Sequence, residues 1–104
     1  MGFPCNQFGN QEPGSEAEIK EFVTSKYDVD FPMFAKIEVN GDGACELYRM
    51  LKAAQPGDGA TAEITWNFEK FLVDPDGEVV ARYAPTVTPE QVAADIADRF
   101  PELV

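Results

Sequence analysis

The side chains able to do chemistry are concentrated in two short segments. Phe3-Pro4-Cys5-Asn6-Gln7-Phe8-Gly9-Asn10-Gln11-Glu12-Pro13-Gly14 is dense in amides and turn formers, and Trp66-Asn67-Phe68 sets the only Trp of the chain beside an Asn. Gly, Pro and Asn satisfy the backbone demands of turns, so both segments are expected on loops. The thiols are Cys5 and Cys45, far apart in sequence, and there is no His. Zinc fingers, haem ligation by His, Ser-His-Asp triads and Cys-His dyads are thereby excluded together, and no bound metal or cofactor is expected. Cys5 reads either as a redox thiol helped by the turn amides or as a partly buried, inert one. Cys45, beside Ala44 and close to Leu47, reads as a packing residue. A disulfide between them stays open, because sequence does not give their separation.

Several elements must position these loops. Ser15-x-x-Glu18 is a capping box, and Ile19, Phe22, Val23 and Lys26-Tyr27 follow at helical spacing, which predicts a helix over 15–26. Phe31 to Val39 is extended and apolar and ends at the turn signal Asn40-Gly41, as a short strand or an ordered loop. A second helix is expected over 43–53 with Ala44, Leu47, Tyr48 and Leu51 on one face. The stretch from Ala54 to Glu63 is the longest plausible loop. Phe68 to Val73, Asp74-Pro75-Asp76-Gly77 and Val79 to Tyr83 read as strand, turn, strand. Thr88 and Pro89 supply an N-cap and first-turn proline for a last helix, whose stripe Val92, Ala93, Ile96 and Phe100 stops at Pro101. The consecutive apolar residues Phe71, Leu72 and Val73 suit a strand buried on both faces, with a neighbour on each side. Only one such neighbour, near 79–84, is visible, and two strands seldom supply enough buried face for a stable sheet.

At 104 residues with 44% hydrophobic content the chain is one folded domain, residues 1–104, with little core to spare. The formal charge of −11 comes from nineteen acids and eight bases spread along both halves. That disfavours nucleic acid and anionic membrane surfaces as partners, since both need concentrated Lys and Arg. Neither a membrane-spanning apolar run nor a signal-peptide pattern is present, so a cytoplasmic location is the default.

Four motifs in order carry a resemblance. Phe-Pro-Cys-Asn-Gln-Phe-Gly with Gln-Glu-Pro-Gly is followed by Phe-Pro-x-Phe-x-Lys-x-x-Val-Asn-Gly from Phe31 to Gly41. Trp-Asn-Phe-x-Lys-Phe-Leu-Val-Asp from Trp66 to Asp74 and Arg82-Tyr83-x-Pro85 complete the set. Over essentially the whole chain this resembles the glutathione peroxidases. The resemblance implies an α/β, thioredoxin-like fold of glutathione peroxidase type, with a β-hairpin packed by about three helices. It implies reduction of hydrogen peroxide or organic hydroperoxides in oxidative stress defence, with a thiol such as glutathione or thioredoxin as co-substrate. It also implies a site in which Gln11, Trp66 and Asn67 surround a reactive Cys or selenocysteine. Three neutral donors can stabilise a thiolate and polarise a peroxide without adding a charge that attracts other anions.

By the same resemblance the peroxidatic residue lies upstream of Phe3, so the chain is expected to be truncated at its N-terminus. Cys5 matches another Cys of the family, not the nucleophile, and the resolving Cys of the thioredoxin-dependent members is missing, its place falling at Thr24 or its neighbours in Phe22-Val23-Thr24-Ser25-Lys26. Peroxidase turnover is therefore expected to be weak or absent. The absent strands would uncover an apolar edge, predicting a homodimer or pairing with a chain that supplies them. The alternative reading is a non-catalytic thioredoxin-like module for binding or assembly.

Overall fold

The computed structural model describes residues 1–57 and 62–103. Helix α1 spans Glu16–Tyr27 and starts as its capping box dictates: Ser15 Oγ accepts the Glu18 N–H at 3.3 Å and the Glu18 carboxylate accepts the Ser15 N–H at 3.2 Å. Asp28 closes it in the left-handed region at φ 54°, donating its N–H to Thr24 O. Helix α2 is Glu46–Ala54. It begins later than position 43, because Gly41 turns the chain at φ 77° and Ala44 N–H closes that turn on Gly41 O. Cys45 then donates its N–H to Glu38 O at 2.9 Å, which keeps it extended. Cys45 is thus the N-cap of α2 rather than a residue on its face, and its side chain makes no capping bond.

Strands β1, Lys70–Val73, and β2, Val79–Tyr83, pair antiparallel with Lys70 opposite Tyr83 and Leu72 opposite Ala81. The ladder breaks register between Leu72 and Val73. Asp74 holds the intervening turn by accepting the N–H groups of Asp76 and Glu78 at 2.9 Å each, and Gly77 takes φ 86°. Helix α3, Pro89–Arg99, has its own capping box between Thr88 and Gln91, and a 3-10 turn over Pro101–Leu103 follows. Tyr83 OH donates to Asp95, whose Oδ2 also accepts Arg99 Nε at 2.9 Å, tying α3 to β2.

Phe31 to Val39 is an ordered loop. It pairs with the start of the chain at a single parallel bridge, Gly2 to Met33, extended by Ile37 N–H donating to Pro4 O at 2.9 Å. The expected loop 54–63 is described only in part, since 58–61 lie outside the described residues and Ala54 closes α2.

Phe8, Val39 and Ile64 form the buried core, with Cys5, Ile37, Tyr48 and Phe71 packed around it. The Tyr48 ring stands edge-on to Phe71 and to Phe3, at 6.0 and 5.9 Å between centroids. The expected stripes are only partly covered. Helix α1 buries Ile19 but leaves Phe22 exposed, α3 buries no residue fully, and β1 is half-buried with Val73 exposed rather than enclosed on both faces. The reason is geometric: the described strands form a two-stranded sheet, so β1 has a neighbour on one side alone. Size scaling gives a folded 11.5 kDa chain about 5,800 Å² of accessible surface. This chain exposes 7094 Å², and its radius of gyration of 14.4 Å exceeds the ~12.9 Å expected for its length.

Candidate active site

The first loop is shaped by its own amides. Asn6 Oδ1 accepts the Glu12 N–H at 2.9 Å and closes the segment on itself, while Gly9 and Asn10 reverse the chain at φ 67° and 52°. Glu12 thus serves the turn through its backbone. Gln7 anchors the loop outward: its Oε1 accepts the N–H groups of Val39 and Asn40 at 2.8 and 3.1 Å, and its Nε2 donates to Asn40 O at 3.0 Å.

The second loop is clamped at both ends. Glu69 Oε1 accepts Thr65 Oγ1 at 2.9 Å, bracketing Trp66-Asn67-Phe68, and Glu69 Oε2 accepts Arg82 Nε at 2.8 Å. The side chains of Arg82 and Glu69 are 9% and 5% exposed, so this is an ion pair largely out of water. Arg82 also donates to the carbonyls of Gln55, Ala62 and Glu63 at 3.0 Å, fastening the end of α2 and the approach to the loop onto β2. Phe68 sits at φ 67°, a costly conformation for an aromatic residue, with its carbonyl held by Lys70 Nζ. Lys70 Nζ also donates to Val87 O at 2.9 Å.

These supports bring the candidate residues together. Asn67 Nδ2 donates to Gln11 Oε1 at 2.9 Å, across 56 positions of sequence. The Trp66 ring packs on Phe8 with centroids 5.7 Å apart, and a Cβ added at Gly9 would lie 3.5 Å from the indole. Gln11, Trp66 and Asn67 thus converge on one exposed patch beside the core. Among the described residues no acceptor takes the Trp66 Nε1–H or the Gln11 Nε2 hydrogens, which leaves these donors available to a ligand. Neither thiol belongs to the cluster. Cys5 Sγ donates to Gln7 Oε1 at 3.5 Å and packs beside the core, and Cys45 caps α2; both are free thiols. The Tyr48 phenol is pushed above its ordinary pKa chiefly by burial, which keeps it neutral and in a packing role.

Asn6, Gln7, Asn40, Glu69, Lys70 and Arg82 were not singled out as supports of the site by the sequence. The available signal is their position, since each lies inside one of the four motifs.

The family model for glutathione peroxidase matches residues 1–52. The chain belongs to the glutathione peroxidase family. A glutathione peroxidase of Schistosoma mansoni is 56% identical over 94% of this chain and 57% of its own length. The hydroperoxy fatty acid reductase gpx1 of Synechocystis is 52% identical over 92% of this chain and 60% of its own length. Among solved structures, that of Trgpx in apo form superposes with a TM-score of 0.74 at 40% identity, covering 97% of this chain and 56% of that one. The structure of T. cruzi GPX1 superposes with a TM-score of 0.68 at 39% identity, covering 89% of this chain and 54% of that one. The hairpin and helices are therefore those of the thioredoxin-like, glutathione peroxidase type of fold. The chain spans little more than half the length of these glutathione peroxidase relatives.

Proposed function

We propose that residues 1–104 supply the hydrogen-bonding part of a thiol peroxidase site. In this reading a thiolate or selenolate attacks one peroxide oxygen and the O–O bond breaks. The leaving oxygen takes up a proton as water or alcohol, and the resulting sulfenic or selenenic acid is reduced by thiol, which is oxidised to disulfide with release of water. Gln11, Trp66 and Asn67 hydrogen-bond the reacting sulfur or selenium and favour its anionic form. The observation that carries this reading is the Asn67 to Gln11 bond, which joins the two loops that hold the donor set.

Cys5 and Cys45 make no hydrogen bond to that set, which supports weak or absent turnover by these residues alone. Hydrogen peroxide or an organic hydroperoxide is the substrate, and glutathione or thioredoxin is the reductant, with no bound cofactor. The test follows peroxide consumption by the 104-residue chain with each reductant. Little consumption above the reductant alone is expected. Rapid turnover would overturn the expectation, and its loss in Cys5→Ser would identify Cys5 as the nucleophile. A cytoplasmic location and pairing with a second copy, or with a chain supplying further strands, belong to the same proposal. A non-catalytic assembly module is the second reading, favoured by the surface in excess of the size expectation.

A further inference from the structure

The bond between Gln11 and Asn67 lies at the surface, where water competes for both partners, so it does not by itself hold two loops in register. A second connection, part-buried where Asn40 meets Ile64, joins the same two loops. Asn40 Oδ1 accepts the Ile64 N–H and Asn40 Nδ2 donates to Ile64 O, both at 2.8 Å, so one carboxamide copies the two-way pairing of a strand neighbour. The Asn40 backbone receives the same treatment from the Gln7 carboxamide, which bonds both its N–H and its C=O. Only one orientation of each amide satisfies these partners, so the direction of every bond is fixed. Lys52, the buried charged residue of the described core, points its Nζ at Val39 O, Asn40 Oδ1 and Glu63 Oε1 from below. Gln7 lies in the loop that carries Gln11, and Ile64 leads directly into Trp66 and Asn67.

We propose that Asn40 is a positioning residue that sets the Gln11 loop and the Trp66-Asn67 loop against one another, through Gln7 on one side and Ile64 on the other. The role rests on reading Gln11, Trp66 and Asn67 as the donor set, and its test uses geometry rather than turnover, so that the two readings fail separately. Asn40→Asp is close to isosteric. It keeps an acceptor for Ile64 N–H and Lys52 and loses the donor to Ile64 O. Gln7→Glu is the milder partner variant, losing the donor to Asn40 O while keeping the acceptor for Val39 and Asn40. Thr88→Ala, which removes the N-cap of α3, is the control for general destabilisation.

The readouts, on the isotope-labelled 104-residue chain, are the side-chain amide resonances of Gln11 and Asn67 and the fluorescence anisotropy of Trp66, the single Trp. In Asn40→Asp both amide resonances shift together and the anisotropy falls, with far-UV circular dichroism unchanged; Gln7→Glu moves the same signals in the same sense. Thr88→Ala leaves them in place. The assignment is overturned if the Gln11 and Asn67 resonances stay put in both variants, or if the control moves them equally. Should Asn40→Asp unfold, Gln7→Glu decides. In the unaltered chain the amide protons of Val39, Asn40 and Ile64 exchange with solvent as one set, and fast exchange at Ile64 alone would equally overturn the link.

Discussion

Glu69 and Arg82 fix the Trp66-Asn67 loop at the level of single side chains, because a buried carboxylate and guanidinium each need the other. Arg82→Met leaves Glu69 charged and unpaired and also orphans the carbonyls of Gln55, Ala62 and Glu63. A loss of about 3–5 kcal/mol is expected from such a change, read as a lower denaturation midpoint. Arg82→Met with Glu69→Leu should recover part of it; a double variant no more stable than Arg82→Met would contradict the pairing argument. Asp95 works differently, at the surface. Its carboxyl is held below the ordinary range by the Tyr83 hydroxyl first and by Arg99 next. A carboxyl depressed in the folded state binds fewer protons there than when unfolded, so its contribution is complete above about pH 4. It is lost as pH falls through the folded value. Acid titration of stability should therefore be shallower below pH ~4 in Asp95→Asn than in the parent chain.

Among the elements, α1 depends most on its ends. Its buried anchor is Ile19, while Phe22 and Tyr27 pack edge-on against each other in solvent, so tertiary packing contributes little to holding it. A short helix with little packing is marginal, and its cap then decides how much of it forms. Ser15→Ala removes the bond to Glu18 N–H and is expected to cost about 1 kcal/mol. Amide exchange should quicken across Glu16 to Thr24 while the hairpin amides stay protected; uniform quickening across the chain would show that α1 is not a separate unit. Glu18, held below the ordinary range mainly by Ser15, makes the same cap sensitive to acid.

For the whole molecule the decisive quantity is surface. The chain exposes roughly 1,300 Å² more than its mass calls for, and Phe31, Phe34, Met50 and Phe68 are among the large apolar side chains left in water. An excess of this size is larger than what one partner contributes to a standard interface, about 800 Å². Association that strengthens with concentration is therefore expected in sedimentation velocity. A well-folded monomer at high concentration would contradict the pairing reading.

Local chemistry was written in the sequence wherever a few neighbouring residues suffice. The capping box at Ser15, the N-cap at Thr88, the Asp74 to Gly77 turn and the gathering of amides on loops all form from short-range bonds, and each formed as read. Motif order fixed the family and, with it, the candidate residues Gln11, Trp66 and Asn67. The start of α2 escaped because it is set by Cys45 N–H bonding to Glu38 O, a contact that no helical periodicity encodes. The incomplete burial of β1 and α1 escaped for a related reason: an apolar pattern states which face seeks cover, not whether a neighbour lies there. The tertiary structure alone decided that Asn40, read in the sequence as a turn residue, would pair its side chain with Ile64 and join two loops distant in sequence. A carboxamide gains that pairing only once folding brings a free backbone N–H and C=O within hydrogen-bond reach.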